Sequence, residues 1–281
     1  MSNTENDLLE LNHEQFEYMR KLIYKNFGIH IQDNKKVMLK SKLSSLIKSN
    51  KEYNVDNIFH KKSFEHPASI RLLADKISTN HTFFFRETDH FHILQEFLEN
   101  KSFLKSKSEK KLRVWSAGCS SGQEPYTIAM IIDNILNPHF SGIDSKILAT
   151  DISLTALSEA CRCVYTEQQI EKVPKNFVKK YFEKIDEYLY KIKPKITKDI
   201  SIKYFNLMQK FYPFKGKFDF IFCRNVMIYF NSESTELLIN KFYDVLENNG
   251  VLFIGQTESM SKKLREKFKF LAPGVFQKKG K

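Results

Sequence analysis

Residues 112–136 read LRVWSAGCSSGQEPYTIAMIIDNIL. The first part, LRVWSAGC, is an apolar run of strand length, and the part from Glu124 onward, EPYTIAMIIDNIL, has the length and spacing of a helix. Gly118 and Gly122 fall between them, where missing side chains let a ligand approach the backbone. The pattern then repeats. KILATDI is a strand, LTALSEAC a helix, FDFIFCRN a strand, STELLINKFYDVLEN a helix and GVLFIG a strand. Such alternation predicts a mostly parallel sheet with helices on both faces. The closing stretch FKFLAPGVFQKK holds a Pro-Gly turn between two short runs and predicts a terminal antiparallel hairpin.

Upstream the period is different. HEQFEYMRKLIYKNF, residues 13–27, spaces Phe16, Met19, Leu22, Ile23 and Phe27 as one helical face that Gly28 stops. A second helix is expected after Asp33 as N-cap, with Leu39, Leu43, Leu46 and Ile47 as its apolar stripe and lysines flanking it. A third is expected around 67–78. The fold class is therefore α/β with a small all-helical N-terminal domain. The expected division is a helical domain over 1–85, a connecting helix and lysine-rich linker over 86–111, and an α/β domain over 112–281. Within the last, residues 187–205 alternate apolar and polar and read as a small antiparallel β-subdomain.

The chain has 281 residues, of which 42% are hydrophobic and 28% charged, and a net charge of +12. It can bury a core, and no apolar run reaches the roughly 18 residues of a membrane helix. The acidic, polar start MSNTENDLLELNHE argues against a leader peptide. Cys119, Cys161, Cys163 and Cys223 include no CxxC pair and read as reduced thiols, so a cytoplasmic protein is expected. The positive charge implies acidic partners. It is carried mostly by lysine with no nucleic-acid-binding motif, so nucleic acid is not expected.

Ligands of open α/β sheets sit at the carboxyl ends of the strands. SAGCSSGQEP lacks both the dinucleotide fingerprint and the phosphate-loop Lys-Ser/Thr. Its Glu124 suits a ligand with a positive group better than a pyrophosphate. Taken alone, the two glycines are equally a tight turn. Asp151 in ATDIS stands where such folds place an acid on a ribose, and it is also a candidate cap for the next helix. FNLM offers Asn206 and Leu207, and FCRNVMIYF offers Arg224, Asn225 and Tyr229. A buried Arg-Asn pair is costly unless partnered or functional. A nucleoside with an amino-acid tail would use all four ends, which describes S-adenosylmethionine better than a nicotinamide cofactor or ATP.

With TNHTFFFR at 79–86 and GVLFIGQTES near the end, these motifs follow the order and spacing of the bacterial chemotaxis receptor methyltransferases, which the chain resembles from about residue 11 onward. The resemblance implies a Rossmann-like class I S-adenosylmethionine-dependent methyltransferase domain. The implied activity is protein-glutamate O-methylation of chemoreceptor methylation helices, with S-adenosylhomocysteine as product and no metal. It further implies that Asn80, Thr82 and Arg86 frame the cofactor, with the phenylalanines as packing. Gly118 and Glu124 would lie at the amino-acid moiety, Asp151 at the ribose and Asn206–Leu207 at the adenine. Arg224–Asn225 would complete the pocket, and Tyr229 with Arg86 would flank the transferred methyl. Lys36, Lys40 and Lys42 fall on the helix that resembles the family's substrate-docking helix.

Two departures carry expectations. Lys42-Leu43 stands where relatives commonly have Arg-Leu, which loses bidentate carboxylate recognition. KYFEKIDEYLYK lacks the glycine of relatives that tether to a receptor tail pentapeptide, so a tether-independent enzyme, monomeric and reaching membranes only through receptors, is expected. His90 and His92 would point to different helix faces and are not expected to bind metal. Cys119 and Cys223 read as buried small hydrophobes. The rival readings are a small-molecule or nucleic-acid methyltransferase on the same fold, and a cofactor-binding sensor without activity.

Overall fold

The computed structural model describes residues 9–100, 103, 110–139 and 142–280. Helix α1 (His13–Phe27) begins at a capping box, in which Asn12 Oδ1 accepts from Gln15 N (2.8 Å) and Gln15 Oε1 accepts from Asn12 N (3.0 Å). It ends at Gly28 with φ +69°, where a Cβ would lie 2.8 Å from the Met208 side chain. Helix α2 (Lys36–Ser49) and α3 (Pro67–Ile77) complete a helical unit whose own core joins Phe16, Met19, Ile23, Leu39, Leu43, Leu46 and Leu73. Asp33 does not cap α2. It opens a 3-10 turn, and its carboxylate pairs with Arg20 at 2.5 Å.

Helix α4 (Thr88–Glu99) leads from these helices and packs on α5 (Gln123–His139). Most of the linker expected over 86–111 beyond α4, residues 101–102 and 104–109, lies outside the described residues. The main sheet has seven strands in the order β6-β2-β1-β7-β8-β10-β9. These are β1 (Lys111–Ala117), β2 (Asp144–Asp151), β6 (Ile200–Tyr204), β7 (Phe218–Cys223), β8 (Leu246–Ile254), β9 (Phe268–Ala272) and β10 (Val275–Lys278). The first five in spatial order run parallel, and β10 is antiparallel to both β8 and β9. Strand β7 is buried throughout, as expected of a central parallel strand covered on both faces. Helix α6 (Leu154–Arg162) follows β2, and α7 (Ser232–Val245) precedes β8.

The small antiparallel sheet is present but drawn differently from the expected 187–205. It pairs β3 (Val164–Thr166), β5 (Leu189–Ile192) and β4 (Phe182–Lys184), in that order. Residues 200–204 belong instead to the edge of the main sheet, where Ile147 faces Ile200 in parallel register. An edge strand covered on one face alternates whether its neighbour is parallel or antiparallel, so the sequence pattern could not tell the two apart. In the β4–β5 turn Asp186 Oδ1 accepts from Tyr188 N and Leu189 N, both at 2.8 Å. An Asx-type turn thus closes the hairpin without glycine. Among the described residues no helix is long and apolar enough to cross a membrane.

Candidate active site

Strand β1 has β2 on one side and β7 on the other, so the chain reverses its direction of travel across the sheet there. At the carboxyl ends of these strands lies a cavity of about 380 Å³, a size ordinary for small-molecule sites. It is walled on one side by Gly118, Glu124, Asp151, Leu207 and Arg224, and on the other by Phe27, Ile29, His30 and Met38 from the helical unit.

Backbone geometry explains the floor. Gly118 has φ +93°, and a Cβ there would lie 2.5 Å from Val226 Cγ2, so a side chain is excluded by conformation and by space. Its N–H is held by Thr150 O at 2.8 Å, and Trp115 Nε1 donates to Thr150 Oγ1 at 2.9 Å, which ties β1 to β2. Asp151 accepts from Ser120 N (2.8 Å) and Ser153 N (2.9 Å). Burial pushes its carboxyl up from the usual range, against these hydrogen bonds. Asp151 is not the cap of α6. Ser153 is, accepting from Ala156 N at 3.1 Å.

Glu124, in the first turn of α5, accepts from Ser116 Oγ at 2.6 Å and from Arg224 Nη1 at 3.3 Å. Burial raises its pKa, with Arg224 and Ser116 acting in the opposite sense. Arg224 also donates through Nε (3.3 Å) and Nη2 (3.1 Å) to Glu87 Oε2, and through Nη2 to the Arg86 carbonyl. Its guanidinium lies 5.1 Å from the Phe91 ring centroid. Asn225, with φ +58°, donates to Glu87 Oε1 at 3.2 Å. The Arg-Asn pair that is costly to bury thus has carboxylate and carbonyl acceptors for its side-chain donors.

The phenylalanine segment divides its labour. Phe84 is fully buried and meets Tyr165 and Phe182 edge-on, while Phe85 meets Phe91 and Phe177. Phe83, Arg86 and Thr82 face the cavity. Phe85 and Glu87 both have left-handed backbones, φ +58° and +54°, conformations that persist only where the surroundings over-determine them. Arg86 donates to His81 O at 2.7 Å. Asn80 lines the cavity and donates to Ser153 Oγ at 3.1 Å. Asn206 donates to Asn26 O (2.7 Å) and accepts from Met208 N (2.9 Å), so its amide is anchored to protein at both ends. One N–H and one lone pair of that amide remain for a ligand. Tyr229 closes a 3-10 turn (Met227–Tyr229), and its carbonyl accepts from His30 N at 2.8 Å. Every residue expected at the cofactor or the methyl therefore lines one cavity.

The lysines of α2 do not act alike. Lys42 turns inward and donates to the carbonyls of Lys76 (3.2 Å), Ile77 (3.1 Å) and Ser78 (2.8 Å), closing the end of α3. Desolvation lowers its pKa. It is not a free docking cation. Lys40 is paired with Glu10, and Lys36 is half-buried.

The sequence reading gave no role to Glu87, Asp75, Ser120 or Glu258. Glu258 accepts four backbone N–H groups, from Gly255 (2.6 Å), Asn225 (3.1 Å), Met227 (2.7 Å) and Ile228 (3.2 Å). The only sequence signal was its place inside the GQTES motif. His90 is buried against Pro273 O at 3.0 Å, and no metal-ligating cluster occurs among the described residues. All four cysteines are free, with Cys119 and Cys223 buried.

The residues present fit S-adenosylmethionine. Glu124 and Asp151 are two half-buried carboxylates facing one cavity, and Ser120 Oγ, beside Asp151, is buried without a partner. Phe27, Ile29, Phe205 and Leu207 supply apolar wall. A ligand cationic at one end, hydroxylated in the middle and flat and apolar at the other satisfies these groups.

Residues 80–275 match the family described as CheR methyltransferase, SAM binding domain. The chain belongs to the CheR chemotaxis protein methyltransferase family. It is 38% identical over 278 residues to a chemotaxis protein methyltransferase of Borreliella burgdorferi, covering 96% of each chain. The corresponding protein of Escherichia coli K12 is 30% identical over 257 residues, covering 90% of this chain and 87% of that one. Cher2 of Pseudomonas putida is 31% identical over 253 residues, covering 88% and 90%. The CheR fold, the S-adenosylmethionine cofactor and a methyltransferase role in chemotaxis follow from this membership.

Proposed function

We propose that the chain methylates glutamate side-chain carboxylates of membrane chemoreceptors, forming the glutamyl methyl esters of chemotactic adaptation. The observation that carries this reading is the placement of Arg86 and Tyr229 in the same cavity as Glu124 and Asp151. An anion-orienting pair thus stands beside a cation- and hydroxyl-binding pair. When bound, S-adenosylmethionine supplies an electrophilic methyl group on a sulfonium.

The acceptor needs little activation. A glutamate carboxylate has a reference pKa of about 4.3 and is already ionised at neutral pH. The chain's task is to strip its water, align it and hold it. Arg86 and Tyr229 would orient the carboxylate without taking its proton-free lone pair out of use. Glu124 would hold the cofactor's ammonium, Asp151 its ribose, and Asn206–Leu207 its adenine. The helical unit within 1–85 would receive the substrate. Exposed Val37 and Met38, beside Lys35 and Lys36, present an apolar and basic face suited to an acidic helix. With an Asx-type turn in place of a glycine loop, the β-subdomain would act without a receptor-tail tether.

The test is methyl-labelled S-adenosylmethionine with purified protein and receptor-containing membranes. Label on a receptor-sized band that mild alkali releases as methanol is the expected result. Alkali-stable label would mean a nitrogen or other non-carboxylate acceptor and would reject the glutamate assignment.

A further inference from the structure

Arg224 lies between two carboxylates that it does not treat equally. Glu87 takes the Nε–Nη2 edge at 3.3 and 3.1 Å, whereas Glu124 receives only Nη1 at 3.3 Å. The Arg224 side chain is 2% exposed, and the two carboxylates are 15% and 13% exposed. Glu87 is itself held by Asn225 Nδ2 at 3.2 Å and by Gln256 N at 3.4 Å. Arg86 lines the same cavity, with its guanidinium on His81 O and 5.7 Å from the Phe83 ring centroid, and its charge acts on Glu124 in the same sense as that of Arg224. His90 faces Glu87 from α4, with Nδ1 3.5 Å from Oε2. Desolvation and Arg224 lower its pKa, which favours the neutral ring.

A lone Arg224–Glu124 pair would be neutral, and Glu124 would have little charge left to offer a ligand. A second carboxylate on the same guanidinium changes that. With both acids ionised the triad carries one net negative charge, in surroundings of low dielectric where that charge is felt strongly.

We propose that Glu87 is a positioning residue. It holds Arg224 by one edge and keeps the Glu87–Arg224–Glu124 triad net anionic, so that the field of the triad favours the sulfonium of S-adenosylmethionine over the neutral thioether of S-adenosylhomocysteine. S-adenosylmethionine carries one more positive charge than S-adenosylhomocysteine, so the triad should weigh on the ratio of their affinities. This rests on the cavity being the cofactor site.

The experiment is titration calorimetry of the full chain with each ligand, with thermal melting alongside, for the wild type, Glu87→Gln and Glu87→Asp. Glu87→Gln keeps a carbonyl acceptor for Arg224 and removes the charge. It should weaken S-adenosylmethionine binding about ten-fold and S-adenosylhomocysteine binding about three-fold or less, so the affinity ratio shifts. Glu87→Asp keeps the charge and should keep the wild-type ratio. Equal losses for both ligands in Glu87→Gln, or no loss for either, would overturn the proposal by reducing Glu87 to packing. Should Glu87→Gln fail to fold, Glu87→Asp carries the test, because a ratio shifted about three-fold or more with the charge intact is also fatal. If the wild type bound neither ligand, the cavity assignment itself would fail, a result distinct from all of these.

Discussion

Asp75, on α3, accepts hydrogen bonds from both the backbone N–H (2.9 Å) and the hydroxyl (2.7 Å) of Thr155, in the first turn of α6. Ser153 Oγ adds a third at 2.7 Å. A side chain of the helical unit thus completes the N-terminus of a helix that follows the cofactor strand β2, favourably for the helix dipole. Burial pushes the Asp75 carboxyl up, but the hydrogen bonds from Thr155 and Ser153 outweigh it and the pKa is lowered.

Asp75→Ala should therefore cost about 1–3 kcal/mol of stability at neutral pH. A carboxyl depressed on folding stabilises above its unfolded value of about 3.9 and loses that contribution as pH falls through the folded value. The difference in melting temperature between the wild type and Asp75→Ala should be full at pH 6–7 and shrink below about pH 4. A difference independent of pH would assign the effect to packing.

Lys42→Met should destabilise by about 1–3 kcal/mol, because three helix-end carbonyls lose their donor. Lys36→Ala should leave the melting temperature unchanged and raise KM for the acidic protein substrate. A stable Lys42→Met with a raised KM would restore Lys42 to the docking surface.

Gly118→Ala places a Cβ 2.5 Å from Val226 Cγ2 on a backbone at φ +93°. Strain of this kind costs on the order of 1–3 kcal/mol. Relief by moving Val226 would displace the neighbouring Arg224–Asn225 pair. Cofactor affinity measured by calorimetry should fall at least ten-fold, and retention of wild-type affinity would show that the loop relaxes freely.

Arg86→Ala and Tyr229→Phe should each lower kcat by about ten- to a hundred-fold in the labelled-methyl assay, since orientation of the acceptor is what they contribute. Binding of S-adenosylhomocysteine should change less than kcat for Tyr229→Phe. Two variants with wild-type turnover would remove both residues from the reaction.

Glu258→Gln leaves one carbonyl oxygen to serve four backbone donors from two chain segments. Because those donors fix the turn that carries Tyr229, the variant should lose about 2–4 kcal/mol of stability, and kcat should fall with KM little changed. Activity equal to wild type at a temperature where both are folded would confine Glu258 to a stabilising role.

Much of this molecule was legible in one dimension. The change of hydrophobic period near Leu112 separated helices from alternating strands and helices, and the glycines and acids at strand ends marked the cavity, because side chains at those ends must meet at a switch point. Strand β6 was misassigned because alternation reports one-sided burial and not strand direction. The helix-end contacts of Lys42 were not legible because a lysine beside an apolar stripe looks the same whether its ammonium meets water or the end of another helix.

Sequence alone thus determined the class of fold, the kind of ligand and the residues that line one cavity, since these depend on periodicity and side-chain chemistry. Only the tertiary structure decided which charges are spent. That Arg224 is shared between Glu87 and Glu124, that Glu258 serves a turn some thirty residues away and that Asp75 accepts from the first turn of a helix of the other unit all depend on distances between segments remote in sequence. Buried polar groups must find partners, and folding brings those partners together from different parts of the chain.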